Sequence, residues 1–139
     1  MNSTLKAAVA SCVVLCIVLC LAVTGCGNQK LAGKVSFPDG EVLTTGTIVF
    51  SSGTSLSRSF IRPDGSFDVG SLKEADGIPP GVYKVYIIGA VKSYPDPADP
   101  SLEIIEPLID AKYASRETTP LEITIPSEAK IDFVVDRAQ

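Results

Sequence analysis

The chain has 139 residues, with 12 Lys and Arg against 16 Asp and Glu, a formal net charge of −4, and neither His nor Trp. An acidic surface without a basic stripe argues against nucleic acid and against electrostatic docking on anionic lipid. Without His the commonest general base and the commonest metal ligand are missing, so neither an enzyme nor a cofactor is expected.

Residues 1–6 form a short polar start whose one charge is Lys6, and residues 7–23 are an apolar run broken only by Ser11. These are the n-region and h-region of a secretory signal. The run ends in Val23, Thr24, Gly25 and Cys26, which resembles the lipobox of bacterial lipoproteins: a branched apolar residue, two small residues and an obligatory cysteine. The resemblance implies cleavage between Gly25 and Cys26, a diacylglyceryl thioether on the Cys26 thiol, and a further acyl chain, palmitate or similar, on the freed amine. Each buried methylene contributes about 0.8 kcal/mol, and one chain alone anchors only marginally, so two or three chains hold essentially permanently.

The expected organisation is a lipoprotein signal peptide over residues 1–25, a lipidated Cys26 with a short tether over residues 26–30, and one domain over residues 31–139. Removing the signal leaves 114 residues, enough for one core, with 11 basic residues against 16 acidic ones. The membrane is thus reached through acyl chains on Cys26, and a tether of four residues spans at most about 14 Å. The absence of Asp directly after Cys26 resembles cargo sent to the outer membrane of double-membrane bacteria; otherwise the anchor lies on the outside of the cytoplasmic membrane. The competing reading is an uncleaved transmembrane helix, for which the run is just long enough. Cys12, Cys16 and Cys20 repeat every four residues inside the apolar run as small apolar fillers. Cys26 is then the one cysteine to survive processing, and no intrachain disulfide is possible.

From Leu31 onward, short apolar runs alternate with clusters of Gly, Pro, Asp and Ser, an all-β pattern. Leu31, Gly33, Val35 and Phe37 line one face of a first strand, and Pro38, Asp39, Gly40 stop it. Ile48 and Phe50 oppose Thr47, Val49 and Ser51 in a second. A third run over residues 56–62 meets Pro63, Asp64, Gly65 and returns as Phe67, Asp68, Val69, a strong hairpin signal. Both Pro, Asp, Gly triplets read as turn chemistry rather than calcium ligands. After Ile78, Pro79, Pro80, Gly81, the run over residues 82–88 is apolar on both faces and is therefore central. Leu121, Ile123, Ile125 and then Ile131, Phe133, Val135 give two more strands. Seven strands fit a Greek-key β-sandwich. The connection over residues 91–120, rich in Pro and Asp, reads as a long loop with a strand or a turn of helix around residues 107–113.

The series Gly33, Val35, Phe37, Asp39, Gly40, then Gly46, Ile48, Phe50, then Asp64, Gly65, Phe67, Val69, then Ile78, Pro79, Pro80, Gly81, Tyr83, Val85 resembles the carboxypeptidase regulatory-like or transthyretin-like (prealbumin-like) domain. That resemblance implies a seven-stranded sandwich of the kind found in bacterial envelope lipoproteins. Lys112, Tyr113 followed by Thr118, Thr119, Pro120, Leu121 is similar to the ending of the small lipoprotein members. These are turn and core positions, which specify a fold and not an activity. The hydroxyisourate hydrolase branch and the intradiol dioxygenases both need His and are excluded. Collagen-adhesin-type domains cross-link a first-strand Lys to a last-strand Asn; here Lys34 faces Asp132 or Asp136 at best, and alternation puts Lys34 on the solvent side.

Three further groups carry candidate chemistry. Ser127 and Lys130 match the Ser-x-x-Lys spacing of penicillin-binding enzymes, but follow Pro126 in a turn instead of opening a helix. Asp96, Asp99, Glu103 and Glu106 are weak candidates for an extracellular Ca²⁺ site; a solvated acidic loop is the simpler reading. Tyr83, Tyr86, Tyr94 and Tyr113 make either a sugar-binding platform or core packing. The leading expectation is a non-catalytic, lipid-anchored envelope protein whose sandwich contacts another envelope protein. The alternative is a carbohydrate- or Ca²⁺-binding envelope lipoprotein using the loop over residues 91–120.

Overall fold

A computed structural model describes residues 27–70, 76–128 and 130–139. Among the described residues nine strands run in chain order: β1 (Ala32–Ser36), β2 (Thr47–Ser51), β3 (Leu56–Phe60), β4 (Ser66–Asp68), β5 (Gly81–Ile88), β6 (Val91–Pro95), β7 (Glu103–Pro107), β8 (Glu122–Ile125) and β9 (Lys130–Val134), with a 3₁₀ turn at Ala111–Ala114. A three-stranded sheet in the order β4-β1-β9 faces a four-stranded sheet in the order β3-β2-β5-β8. These two sheets are the seven-stranded sandwich read from the sequence. Strands β6 and β7 pair only with each other, as a separate hairpin.

The alternation in each strand sets which side faces inward. Val35 of β1, Ile48 and Phe50 of β2, and Tyr83, Val85 and Ile87 of β5 are buried between the sheets. Three phenylalanines meet across the layers: Phe50 from one sheet lies 6.0 Å from Phe67 and 6.2 Å from Phe133 of the other, and Phe67 and Phe133 are 6.1 Å apart. Gly33 makes room for them. A Cβ there would lie 1.7 Å from the Ile131 carbonyl oxygen and 2.9 Å from the Phe67 ring, so β9 can sit against β1 only because the side chain is absent. Strands β1 and β9 run parallel, with Gly33 opposite Ile131 and Val35 opposite Phe133.

Three expectations change. The Pro63, Asp64, Gly65 turn forms, closed by the Gly65 N–H on the Arg62 carbonyl at 2.8 Å, and the chain returns antiparallel, with the Arg62 N–H on the Ser66 carbonyl at 2.9 Å and an Arg58–Gly70 bridge, but between these bonds β3 and β4 part into opposite sheets. Ser59 Oγ accepts the Asp68 N–H at 3.0 Å, so a side chain takes the bond that a ladder carbonyl would have taken. Phe67 is thereby carried across to close the core from the three-stranded side. The run over residues 82–88 is indeed central, between β2 and β8, yet its outer face is not covered: Val82 and Ile88 are exposed. Finally, the connection over residues 91–120 is regular for much of its length. Pro95 and Pro107 end the two hairpin strands, where a missing N–H disrupts least, and the undecided stretch around residues 107–113 closes as the 3₁₀ turn, capped by the Asp110 side chain.

Candidate functional site

Cys26 and Gly25, the residues of the expected lipidation and cleavage, lie outside the described residues, as does the apolar run over residues 7–23. Among the described residues no helix is long and apolar enough to cross a membrane. What the structure describes is the chain that follows Cys26. Gln29 exchanges two backbone hydrogen bonds with Ile78, both 2.8 Å. Its side-chain amide makes two more with one residue: Nε2 donates to the Ser127 carbonyl at 2.8 Å, and Oε1 accepts the Ser127 N–H at 3.0 Å. Leu31, two residues on, is buried in the core. The expected tether through residue 30 is therefore held to the domain from Gln29 onward. A primary amide offers a donor and an acceptor side by side, which is why Gln fits this position. No local pattern in the sequence pointed to it, because Ser127 is 98 residues away.

The other end of the sandwich carries two ionic contacts of the chain end. Lys112 Nζ lies 2.6 Å from Asp136 Oδ2, and the hydroxyl of buried Tyr113 donates to the same oxygen at 3.0 Å. The Lys112 ammonium, and after it the Tyr113 hydroxyl, hold the Asp136 carboxyl below the usual range for an aspartate. Arg137 bridges Asp39 and Glu41 while its guanidinium stacks 3.9 Å over the Phe37 ring. Its hydrogen bond likewise keeps the Asp39 pKa low. Thr118 Oγ1 donates to the Lys112 carbonyl at 2.8 Å, and Thr119 Oγ1 donates to the Val85 carbonyl. The motif-like series from Lys112 to Leu121 thus clips the chain end and β8 onto β5. Lys112, Tyr113, Thr118 and Thr119 are each engaged in holding the fold.

The acidic candidates do not converge. Asp96 Oδ1 accepts the Ala98 N–H at 2.8 Å, and Asp99 Oδ1 accepts the Ser101 N–H at 3.0 Å and its hydroxyl at 2.6 Å, so both shape the turn between β6 and β7. Glu106 accepts the Tyr94 hydroxyl across the hairpin, and Glu103, three residues away on the same strand, points to the opposite face. Among the described residues no three Asp, Glu, His or Cys side chains lie close enough to share a metal ion. The tyrosines are dispersed as well: Tyr83 and Tyr113 are in the core, Tyr86 is on the outer face of β5, and Tyr94 is on the hairpin. Ser127 Oγ donates to the neighbouring Glu128 carbonyl, and Lys130 opens β9, so the Ser-x-x-Lys spacing falls on a turn and a strand. Lys34 is exposed, and its contact with the Asp132 carboxylate is made by its backbone N–H at 3.0 Å.

One feature was missed from sequence. The outer face of the four-stranded sheet is apolar along one cross-strand row, where Phe60 and Ile88 flank Thr47 and are 71% and 46% exposed. Leu56 and Val82 add exposed apolar surface on the same face. Strand alternation puts Phe60 outward as soon as Ser57 and Ser59 are placed inward, so the signal was present in the run over residues 56–62.

No family model matches the chain, and no curated protein matches it. Among solved structures, the chain is similar over 81% of its length to a crystal structure of the major pilin subunit of Bacillus cereus, with 9% identity and a TM-score of 0.46. The chain spans 30% of that pilin's length.

Proposed function

We propose that this protein is a non-catalytic module of the bacterial cell envelope, anchored by acyl chains on Cys26 to the outside of the cytoplasmic membrane or to the outer membrane. One observation carries the reading: Gln29 is already hydrogen-bonded into the domain, so Gly27 and Asn28 alone separate that attachment from a cysteine whose preceding residues resemble a lipobox. A lipid at Cys26 then meets a folded domain almost at once, as an anchor of a surface module requires. The non-catalytic part of the reading is supported by how the reactive side chains are used. Asp136, Lys112, Tyr113, Arg137, Asp39 and Glu41 are joined in structural pairs. The surface offered to a protein partner is the outer face of the four-stranded sheet around Phe60 and Ile88, since exposed apolar rows of this kind mark contact surfaces.

Mass spectrometry of the N-terminal peptide from the membrane fraction tests the anchor. A peptide beginning at Cys26 and carrying a diacylglyceryl group with a further acyl chain is expected, and Cys26→Ser is expected to accumulate as unprocessed precursor. A free thiol at Cys26, or a chain still beginning at Met1, would sink the reading.

A further inference from the structure

The way Gln29 is held fixes more than the start of the domain. Gln29 leads into Ala32, and Ala32 lies opposite Asp68, the last residue of β4, and Lys130, the first of β9. In the facing sheet, Gly81 at the start of β5 lies opposite Ile125 at the end of β8. The turn over residues 52–55, residues 76–80 and residues 126–128 therefore share one end of the sandwich with Gln29. The opposite end holds the Phe37 to Gly40 turn, the Arg62 to Gly65 turn and the root of the β6–β7 hairpin, where the Leu108 N–H donates to the Ala90 carbonyl at 2.9 Å.

The attachment of the chain start is built in on two sides. Ser127 holds the Gln29 side chain and Ile78 holds its backbone. Gly77, at φ +91°, lets the incoming chain pass close: a Cβ there would lie 2.8 Å from the Gln29 carbonyl oxygen and 3.1 Å from Asn28 Cβ. The free link from Cys26 to this point reaches about 10 Å. The eight residues of β5 span about 26 Å from one end of the sandwich to the other. A link shorter than half the domain cannot let it turn over.

The charge distribution agrees. Near the attachment end the described charged groups are Lys30 and Lys130 against Asp68, Asp76 and Glu128, a nearly balanced set. The hairpin carries Asp96, Asp99, Glu103 and Glu106 against one Lys92, and anionic headgroups repel such a segment.

We propose that the domain stands on the bilayer on the end that carries Gln29, the turn over residues 52–55 and residues 126–128, and so presents the hairpin and both Pro, Asp, Gly turns away from the lipid. The partner of this end is the phospholipid surface that holds the protein's own acyl chains, and the proposal rests on acylation of Cys26.

The test uses the acylated protein reconstituted in phosphatidylethanolamine and phosphatidylglycerol vesicles doped with a nickel-chelating lipid. Thr54→Cys and Glu128→Cys place a nitroxide at the attachment end, and Pro38→Cys and Ala98→Cys place one at the far end and the hairpin. Relaxation by headgroup nickel is expected to be several-fold stronger for the first pair. A flexible Gly/Ser insert of about ten residues between Gly27 and Asn28 is expected to abolish that contrast. Equal relaxation at all four sites without the insert, or a contrast that survives it, overturns the proposal. Failure of the anchor itself reads differently, because an unacylated chain does not sediment with the vesicles at all.

Discussion

Strand β4 and the β6–β7 hairpin sit at opposite extremes of burial. Phe67, the middle residue of β4, is fully buried and touches rings from both sheets, whereas none of the ten residues of β6 and β7 is buried. Both segments are short, and both carry large apolar side chains. The hairpin keeps its shape through local bonds: the Tyr94 hydroxyl on Glu106, Lys92 5.5 Å over the Tyr94 ring, and the Asp99 cap. The sandwich keeps its shape through burial between layers. A substitution should therefore be costly in one region and nearly silent in the other, whatever the hydrophobicity of the residue replaced.

The sharpest break falls at Gly33. A Cβ there collides with the backbone carbonyl of Ile131, which cannot move unless β9 moves with it. Gly33→Ala is expected to cost more than about 4 kcal/mol, read as loss of soluble folded domain or a collapsed urea midpoint. A full-strength transition in that variant would mean that β1 and β9 are not in register. The next effect has the opposite sign. Ser57 Oγ is buried without a hydrogen-bond partner, and an unsatisfied hydroxyl costs about 1 to 3 kcal/mol. Ser57→Ala is expected to raise stability by about 1 kcal/mol, seen as a higher urea midpoint at unchanged slope.

These two residues also show how far the sequence could be read. Alternation separated the two faces of β1, β2, β8 and β9, because a period of two is visible wherever one face is buried, while β5 read as apolar on both faces. It could not assign β3 and β4 to different sheets, since the runs part only between the Arg62–Ser66 and Arg58–Gly70 bonds, where β4 pairs with β1 and Ser59 accepts the Asp68 N–H. Gly33 was read as one more inward position, and its clearance from Ile131 needs the parallel pairing of β1 with β9, a long-range fact. The hairpin was hidden by its four prolines, which suggest loop until their places at strand ends and in the turn are known. At the membrane end, Cys26 announces itself by spacing, while Gln29 gives no local sign that it binds Ser127. Local chemistry was legible, and contacts across 98 residues were not.

The ionic end of the sandwich should respond to acid. With Lys112 and Tyr113 on its carboxylate, Asp136 titrates lower in the folded chain than in the unfolded one. Its contribution is therefore present above the unfolded aspartate pKa, and is lost as pH falls below about 4 through the folded value. Asp136→Asn is expected to lower stability at neutral pH and to flatten this part of the acid decline. Urea midpoints at pH 7 and pH 3 for both proteins check it, and parallel declines would remove the pair from the account.

The smallest effect is expected on the hairpin, where it defines the contrast best. Ile105 is 62% exposed on β7 and adds apolar surface without joining the core. Replacing it by Ser removes little area that folding had taken from water, so stability should move by no more than about 0.5 kcal/mol. The same change in the sandwich, at Ile87, would leave a polar hydroxyl in a fully buried site and cost several times as much. If Ile105→Ser instead lowers the urea midpoint as far as a core substitution does, the hairpin is packed onto something in solution. The first surface to search would be the apolar row of Phe60 and Ile88, since Gly89 and Ala90 alone separate Ile88 from the start of β6.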